Sequence, residues 1–144
     1  MTARYFVDSN VLIYARDMTE AVKQQRAAIW LDYLWDRRAG YVSYQVLVEC
    51  YSALIRRRRM AIDQARLYVE SFLPWNPVAL DASVLMRAWQ TEDRFQFNWW
   101  DCLIVAAARL GECAYILTED LQHGQNLDGI VVLDPFQVEP DAVQ

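Results

Sequence analysis

Short apolar runs alternate along the chain with longer segments in which apolar residues recur every three or four positions. Residues 4–7 carry Tyr5-Phe6-Val7 and stop at Asp8, the pattern of a short buried strand. Ser9 or Asn10 is placed to cap a short helix through Val11, Leu12, Ile13 and Tyr14. Thr19 is placed to cap a helix of about 20 residues, with Glu20 in its first turn and Gly40 past its end. Residues 41–42 stand where a strand would return. Ser43 caps a third helix through Val46, Leu47, Cys50, Tyr51, Leu54 and Ile55. Asp63 caps a fourth, which Pro74 ends. Residues 78–80 are a strand candidate. Asp81 caps a fifth helix through Leu85 and Trp89, and Asn98 a sixth through Leu103, Ile104 and Ala108 to Gly111. Residues 114–117 and 130–133 close the pattern as buried strands.

Short apolar strands alternating with helices predict an α/β fold with a parallel sheet covered on both faces. Ligands bind such sheets at the carboxyl ends of the strands. Asp8 and Asp120 fall at or just past two of those ends.

Composition narrows the class. The 144 residues suit one domain. Hydrophobic residues at 55% against 23% charged exclude disorder. The longest apolar run, 102–108, is about a third of the roughly 20 residues a membrane span needs. An acid at position 8 interrupts any signal-peptide core, so the expectation is a cytoplasmic protein that makes no use of a membrane. Cys50, Cys102 and Cys113 are odd in number and widely spaced, which predicts buried thiols rather than disulfides or a zinc site. The net charge of −5 opposes a simple nucleic-acid coat. Positive charge is nonetheless concentrated in the consecutive Arg56, Arg57, Arg58 and Arg59.

The acids carry the candidate chemistry. Asp8 is either a turn or cap acid or a site residue. Glu49 lies mid-helix with Gln45, Val46 and Ala53 on its face and no cation among them; it either flanks the surface towards Arg56 or belongs to a site. Asp101 stands at the third position after the Asn98 cap, which a helix start explains, but in the apolar company of Trp99, Trp100, Cys102 and Leu103. Of Glu119 and Asp120, one would project over the sheet edge. Four carboxylates without a histidine ligand form a hard-oxygen set, suited to Mg²⁺ or Mn²⁺. Without a cation such acids repel one another, and carboxylate-held divalent metals typically serve phosphoryl chemistry.

Other chemistries lack their parts. There is no G-x-G-x-x-G, P-loop or G-x-S-x-G. The one histidine, His123, has no evident nucleophile partner and is a loop residue or a substrate contact. The arginine run is a solvated helix end or a contact for RNA phosphates, through Arg56 and Arg59.

Taken in order, four segments resemble the PIN-domain nucleases, specifically the VapC-type ribonuclease toxins of bacterial toxin–antitoxin pairs. They are Val7-Asp8-Ser9-Asn10-Val11-Leu12-Ile13-Tyr14, Ser43-Tyr44-Gln45-Val46-Leu47-Val48-Glu49, Trp100-Asp101-Cys102-Leu103-Ile104-Val105-Ala106-Ala107-Ala108, and Leu117-Thr118-Glu119-Asp120-Leu121-Gln122-His123-Gly124 with Val131 to Phe136. The likeness spans residues 4–136, and the chain reads as a PIN domain over 1–136 with a short tail, 137–144.

The resemblance implies a three-layer α/β/α fold with a central parallel sheet of about four to five short strands. It implies an endoribonuclease using one or two Mg²⁺ or Mn²⁺ ions held by Asp8, Glu49, Asp101 and Asp120, with Asp120 favoured over Glu119. Ser9, Asn10 and Thr118 would support that set. The implied partners are an RNA substrate, a cognate antitoxin and a second copy of the chain. Rival readings are an RNA-processing nuclease without an antitoxin, a non-catalytic binding module, and a phosphatase, which Asn10 opposes by standing where a second Asp would be expected. Trp30, Trp35, Tyr51 and Leu54 are expected in the core or a dimer contact, or else along a groove for the antitoxin.

Overall fold

A computed structural model describes residues 2–143. Met1 and Gln144, the ends of the predicted domain and tail, lie outside the described residues. Five strands form one sheet in the order β2-β1-β3-β5-β4: β1 (Tyr5–Val7), β2 (Gly40–Tyr41), β3 (Tyr115–Leu117), β4 (Asn126–Leu127) and β5 (Ile130–Leu133). Every pairing except β4 with β5 is parallel. All three residues of β1 are buried, which requires helices on both faces. Six helices supply the cover: α1 (Ser9–Tyr14), α2 (Ala21–Arg37), α3 (Tyr44–Arg56), α4 (Ile62–Glu70), α5 (Ala82–Phe95) and α6 (Trp99–Leu110).

The core is built from β1, β3, α1, α2 and α3, with Phe6, Leu12, Trp30, Leu34, Leu54, Ile116 and Leu117 buried in one cluster. α6 is buried continuously from Cys102 to Ala108, because one side meets this cluster and another meets Val84 and Ala88 of α5. The expected caps Ser43, Asp81 and Asn98 each accept backbone N–H bonds at their helix starts. All three cysteines are buried and free. Among the described residues no helix is long and apolar enough to cross a membrane.

Several expectations are corrected. The cap of α1 is neither Ser9 nor Asn10 but Asp8, for which a cap is one of the readings, and its carboxylate accepts from the Ser9 N–H. α2 starts at Ala21 behind Glu20; Thr19 instead donates its hydroxyl to Asp17 at 2.6 Å. The helix closes at Arg38 in the left-handed region (φ 52°), and Gly40 belongs to β2. Ala61, not Asp63, precedes α4, which ends before Pro74 reaches it. Residues 78–80 make a single bridge, Val78 to Ser43, rather than a strand. β4 is the missed strand; its turn puts Asp128 and Gly129 at φ 52° and 105°, the Asp-Gly signature of a tight hairpin. Trp30 and Leu54 are fully buried, which agrees with their expected place in the core and not with the groove alternative. Trp35 is partly exposed and packs on Trp75 at 5.0 Å between ring centroids. The predicted tail is packed down: Trp30 Nε1 donates to the Val138 carbonyl at 2.9 Å, and Arg26 pairs with Glu139 at 2.9 Å.

Gly40 shows how tightly β2 is held. A Cβ there would stand 2.6 Å from the Trp75 ring, which is itself wedged between Phe72 and Trp35. Gly40→Ala is expected to cost about 1–3 kcal/mol, read as a lower urea midpoint with an unchanged slope. An unchanged midpoint would mean that the ring can move aside.

Candidate active site

The parallel register sets the site. Val7 lies opposite Leu117, and Leu117 opposite Leu133. The next residues, Asp8 and Thr118, therefore leave the sheet side by side. The Asp8 N–H donates to the Leu117 carbonyl, and the Thr118 N–H to the Leu133 carbonyl, each at 3.0 Å. Both residues are buried.

Thr118 organises this edge. Its Oγ1 donates to Asp8 Oδ2 at 2.8 Å. It accepts from Asn10 Nδ2 at 3.1 Å and from the Asp120 N–H at 3.1 Å. Asn10 Nδ2 also reaches Asp120 Oδ2 at 3.2 Å. One hydroxyl thus joins the end of β1, the start of α1 and the loop after β3. Asn10 Oδ1 is buried and has no partner.

Two helices bring the other acids. Ser43 starts α3, and Glu49 follows on a turn where Gln45 Nε2 donates to its Oε1 at 2.8 Å. Asn98 starts α6 by accepting the Asp101 N–H at 3.0 Å, and its Nδ2 donates to Asp101 Oδ2 at 2.8 Å. Asn98 therefore both caps the helix and aims the carboxylate. Neither orienting amide stands out in the sequence, where Asn98 reads as a cap and Gln45 as a neighbour on the face of Glu49.

The four acids feel one another. Burial pushes the Asp8 carboxyl up from 3.8 to about 7, and the charges of Asp120 and Glu49 add to this against the hydrogen bonds from Thr118 and Ser9. Burial raises Glu49, with Asp101 and Asp120 adding to it. Burial raises Asp101, and Asp120 adds to that. No cation among the described residues forms an ion pair with any of the four. Glu119 has a different fate. Lys23 Nζ donates to its Oε2 at 2.9 Å and lies 4.5 Å from the centre of the Tyr14 ring. The pairing that separates Glu119 from Asp120 thus comes from α2.

Beside the acids lies a cavity of about 620 Å³. Ser9, Asn10, Glu49 and Asp120 line one part, and Arg56, Arg57 and Arg58 another. Only Arg56 of the run is helical, because α3 ends there. His123 lies outside this lining; its Nδ1 accepts the Asp134 N–H at 3.0 Å. The oxygen-only donor set, the mutual repulsion and the unpartnered Asn10 oxygen suit a hard divalent cation such as Mg²⁺ or Mn²⁺. The acids do not form a closed cage: no three ligand-type residues are gathered around one point among the described residues.

Comparison with known proteins agrees with the fold. The PIN domain family profile matches residues 5–125. The chain belongs to the PIN domain family. A toxin–antitoxin complex from Klebsiella pneumoniae contains a chain 15% identical to this one, with a TM-score of 0.66 over 91% of this chain and 97% of that one. DNA-bound VapBC from Salmonella typhimurium gives 16% identity and a TM-score of 0.66 over 93% and 99%. VapC20 of Mycobacterium tuberculosis, a sarcin–ricin loop cleaving toxin, gives 16% and 0.56 over 81% and 89%. At these identities the likeness is one of fold. No curated protein matches the sequence.

The raised Asp8 value makes stability depend on pH. In chelator, the folded protein holds this proton to about pH 7, whereas the unfolded chain releases it near 3.8. The group's contribution is full below about pH 4 and is lost as pH rises through about 7, at up to about 1.4 kcal/mol per pH unit. Asp8→Asn should therefore melt about 5 °C or more above the parent at pH 8 and close to it at pH 4.5. A variant melting below the parent at pH 8 would show that the charged carboxylate is favoured.

Proposed function

We propose that this protein is a divalent-metal-dependent endoribonuclease and the toxin of a toxin–antitoxin pair. The observation that carries the nuclease reading is the set of four carboxylates from four separate segments, within electrostatic reach of one another and without an ion-paired cation among the described residues, of which Glu49 and Asp120 line a cavity with arginines in its wall. The PIN family membership supports the same chemistry. The structural likeness to chains from toxin–antitoxin complexes, and to a toxin that cleaves the sarcin–ricin loop, supports the toxin role and an RNA substrate.

On this reading Asp8, Glu49, Asp101 and Asp120 hold one or two Mg²⁺ or Mn²⁺ ions. When bound, the metal supplies activation of water and neutralisation of charge on the phosphate. The chain's own residues prepare the site. Thr118 and Asn10 fix Asp8 against Asp120, while Gln45 and Asn98 fix Glu49 and Asp101. The Asn10 oxygen is free to accept from a bound water. Arg56 and Arg57 offer guanidinium groups to phosphate oxygens of the strand beside the cleaved bond. The products carry 5′-phosphate and 3′-hydroxyl ends, as the family resemblance implies. The partners are a cognate antitoxin and a second copy of the chain, in the cytoplasm, and residues 1–136 form the catalytic domain with 137–144 as its closing segment.

The test is cleavage of mixed tRNA and ribosomal RNA with Mg²⁺ or Mn²⁺, with chelator, and with Asp101→Asn protein purified in parallel. Discrete cuts are expected that require metal and fall more than about 100-fold in the variant. Equal cutting by parent and variant would overturn the assignment of these acids.

The same acids give a second readout. Mn²⁺ should raise the melting temperature of the parent more at pH 8 than at pH 5, because a cation relieves repulsion only where the carboxylates are charged. Asp101→Asn should lose most of that rise. An equal rise in both proteins would mean that the ion binds elsewhere.

A further inference from the structure

The wall of arginines does not end at the acid cavity. A second cavity of about 360 Å³ opens beyond it, lined by Arg16, Thr19 and Arg59 among others, and it shares Arg57 and Arg58 with the first. The shared residues make the two cavities neighbours across a single sill.

Arg58 builds that sill. Its Nε donates to Asp17 Oδ2 at 2.8 Å. Asp17 is buried, and its Oδ1 also accepts the Thr19 N–H at 3.0 Å and the Thr19 hydroxyl at 2.6 Å. These bonds, with the charge of Arg58, hold the Asp17 carboxyl below the usual carboxylate range. Arg58 is thereby committed to stapling the loop after α1 to the end of α3. Arg59 then takes the left-handed conformation, φ 54°, so the run turns instead of continuing the helix. Arg56, Arg57 and Arg59 are exposed, and their guanidinium groups make no hydrogen bond or ion pair among the described residues. Arg16, also exposed, rests its guanidinium on the Tyr68 ring at 5.0 Å.

We propose that the second cavity is a phosphate subsite for the RNA strand that leads away from the cleaved bond, with Arg57 at the passage and Arg16 and Arg59 within. The proposal rests on the nuclease reading, which already sets a strand at the acids. Continuing over the shared sill, that strand meets guanidinium groups with free donors at each step. Arg16 and Arg59 come from separate loops that Asp17 and Arg58 tie together, so the backbone positions that carry them are held side by side before the strand arrives. Contacts of this kind position a strand without reading its bases. The subsite therefore adds affinity with strand length and with falling salt, whatever the sequence. An acidic peptide would satisfy the arginines but would gain nothing from continuing into the acid cavity.

The experiment is fluorescence anisotropy in chelator with fluorescein-labelled oligouridylates of four and twelve nucleotides, across a salt series. The parent is compared with Arg16→Ala/Arg59→Ala and with Arg16→Lys/Arg59→Lys, each checked for an unchanged melting curve. The alanine variant should bind the twelve-mer about tenfold or more weakly, with a log–log salt slope about 1.4 smaller for two lost phosphate contacts. The four-mer should bind all three proteins alike, and the lysine variant should regain most of the slope. Equal twelve-mer affinity and slope in parent and alanine variant would overturn the subsite. So would a parent that fails to bind the twelve-mer at low salt. A polyglutamate that displaces the twelve-mer as well as unlabelled oligouridylate does would overturn RNA as the occupant. Loss of twelve-mer binding in the variant, with no metal-dependent cleavage by the parent, would retain the subsite and overturn the nuclease reading alone.

Discussion

The site depends on the parallel pairing of β1 with β3. Three residues on each strand set the register, and the register makes Asp8 and Thr118 neighbours. From there the Thr118 hydroxyl fixes Asp8, Asn10 and Asp120 through one proton and two lone pairs. Slipping one strand by a single residue would turn each side chain to the opposite face and dissolve the cluster. The burial that makes these strands stable is the same burial that raises the Asp8 carboxyl, so core and site cannot be adjusted independently.

Charge is distributed by the same economy. Asp8, Glu49, Asp101 and Asp120 have amide and hydroxyl partners, which orient a carboxylate without neutralising it. Two acids near them are neutralised instead: Glu119, which lines the same cavity, by Lys23, and Asp17 by Arg58. Adjacent residues, Glu119 and Asp120, thus play opposite parts. The first anchors a loop to α2, and the second adds repulsion to the cluster.

What was legible in the sequence was what short-range chemistry dictates. Ser43, Asp81 and Asn98 stop a chain and start a helix wherever they precede an amphipathic run, so those starts were predicted. The three buried parallel strands were visible as apolar runs ended by polar residues. β4 was missed because two residues carry no periodicity, although Asp128-Gly129 marked its turn. Thr19 was misread as a cap because nothing local says that Asp17 will claim its hydroxyl. The arginine run reads locally as a helix end or an RNA contact; that α3 ends at its first member and that Arg58 turns to Asp17 is set by tertiary packing. Likewise, the residues alone leave Glu119 and Asp120 undivided, and the physical reason for their separation is Lys23, 96 positions from Glu119. Such pairings belong to tertiary structure and leave no trace in a local pattern.

The distance along the chain between Asp8 and Thr118 has a consequence for synthesis. Their contact joins residues 110 positions apart, and parallel pairings of that span form late because a long loop must close first. A nascent chain that has emerged through α6 already contains Asp8, Glu49 and Asp101 but has no strand to align them. The oriented cluster is assembled only when β3 is made and docked. A chain interrupted before β3 therefore lacks the hydroxyl that ties its acids together.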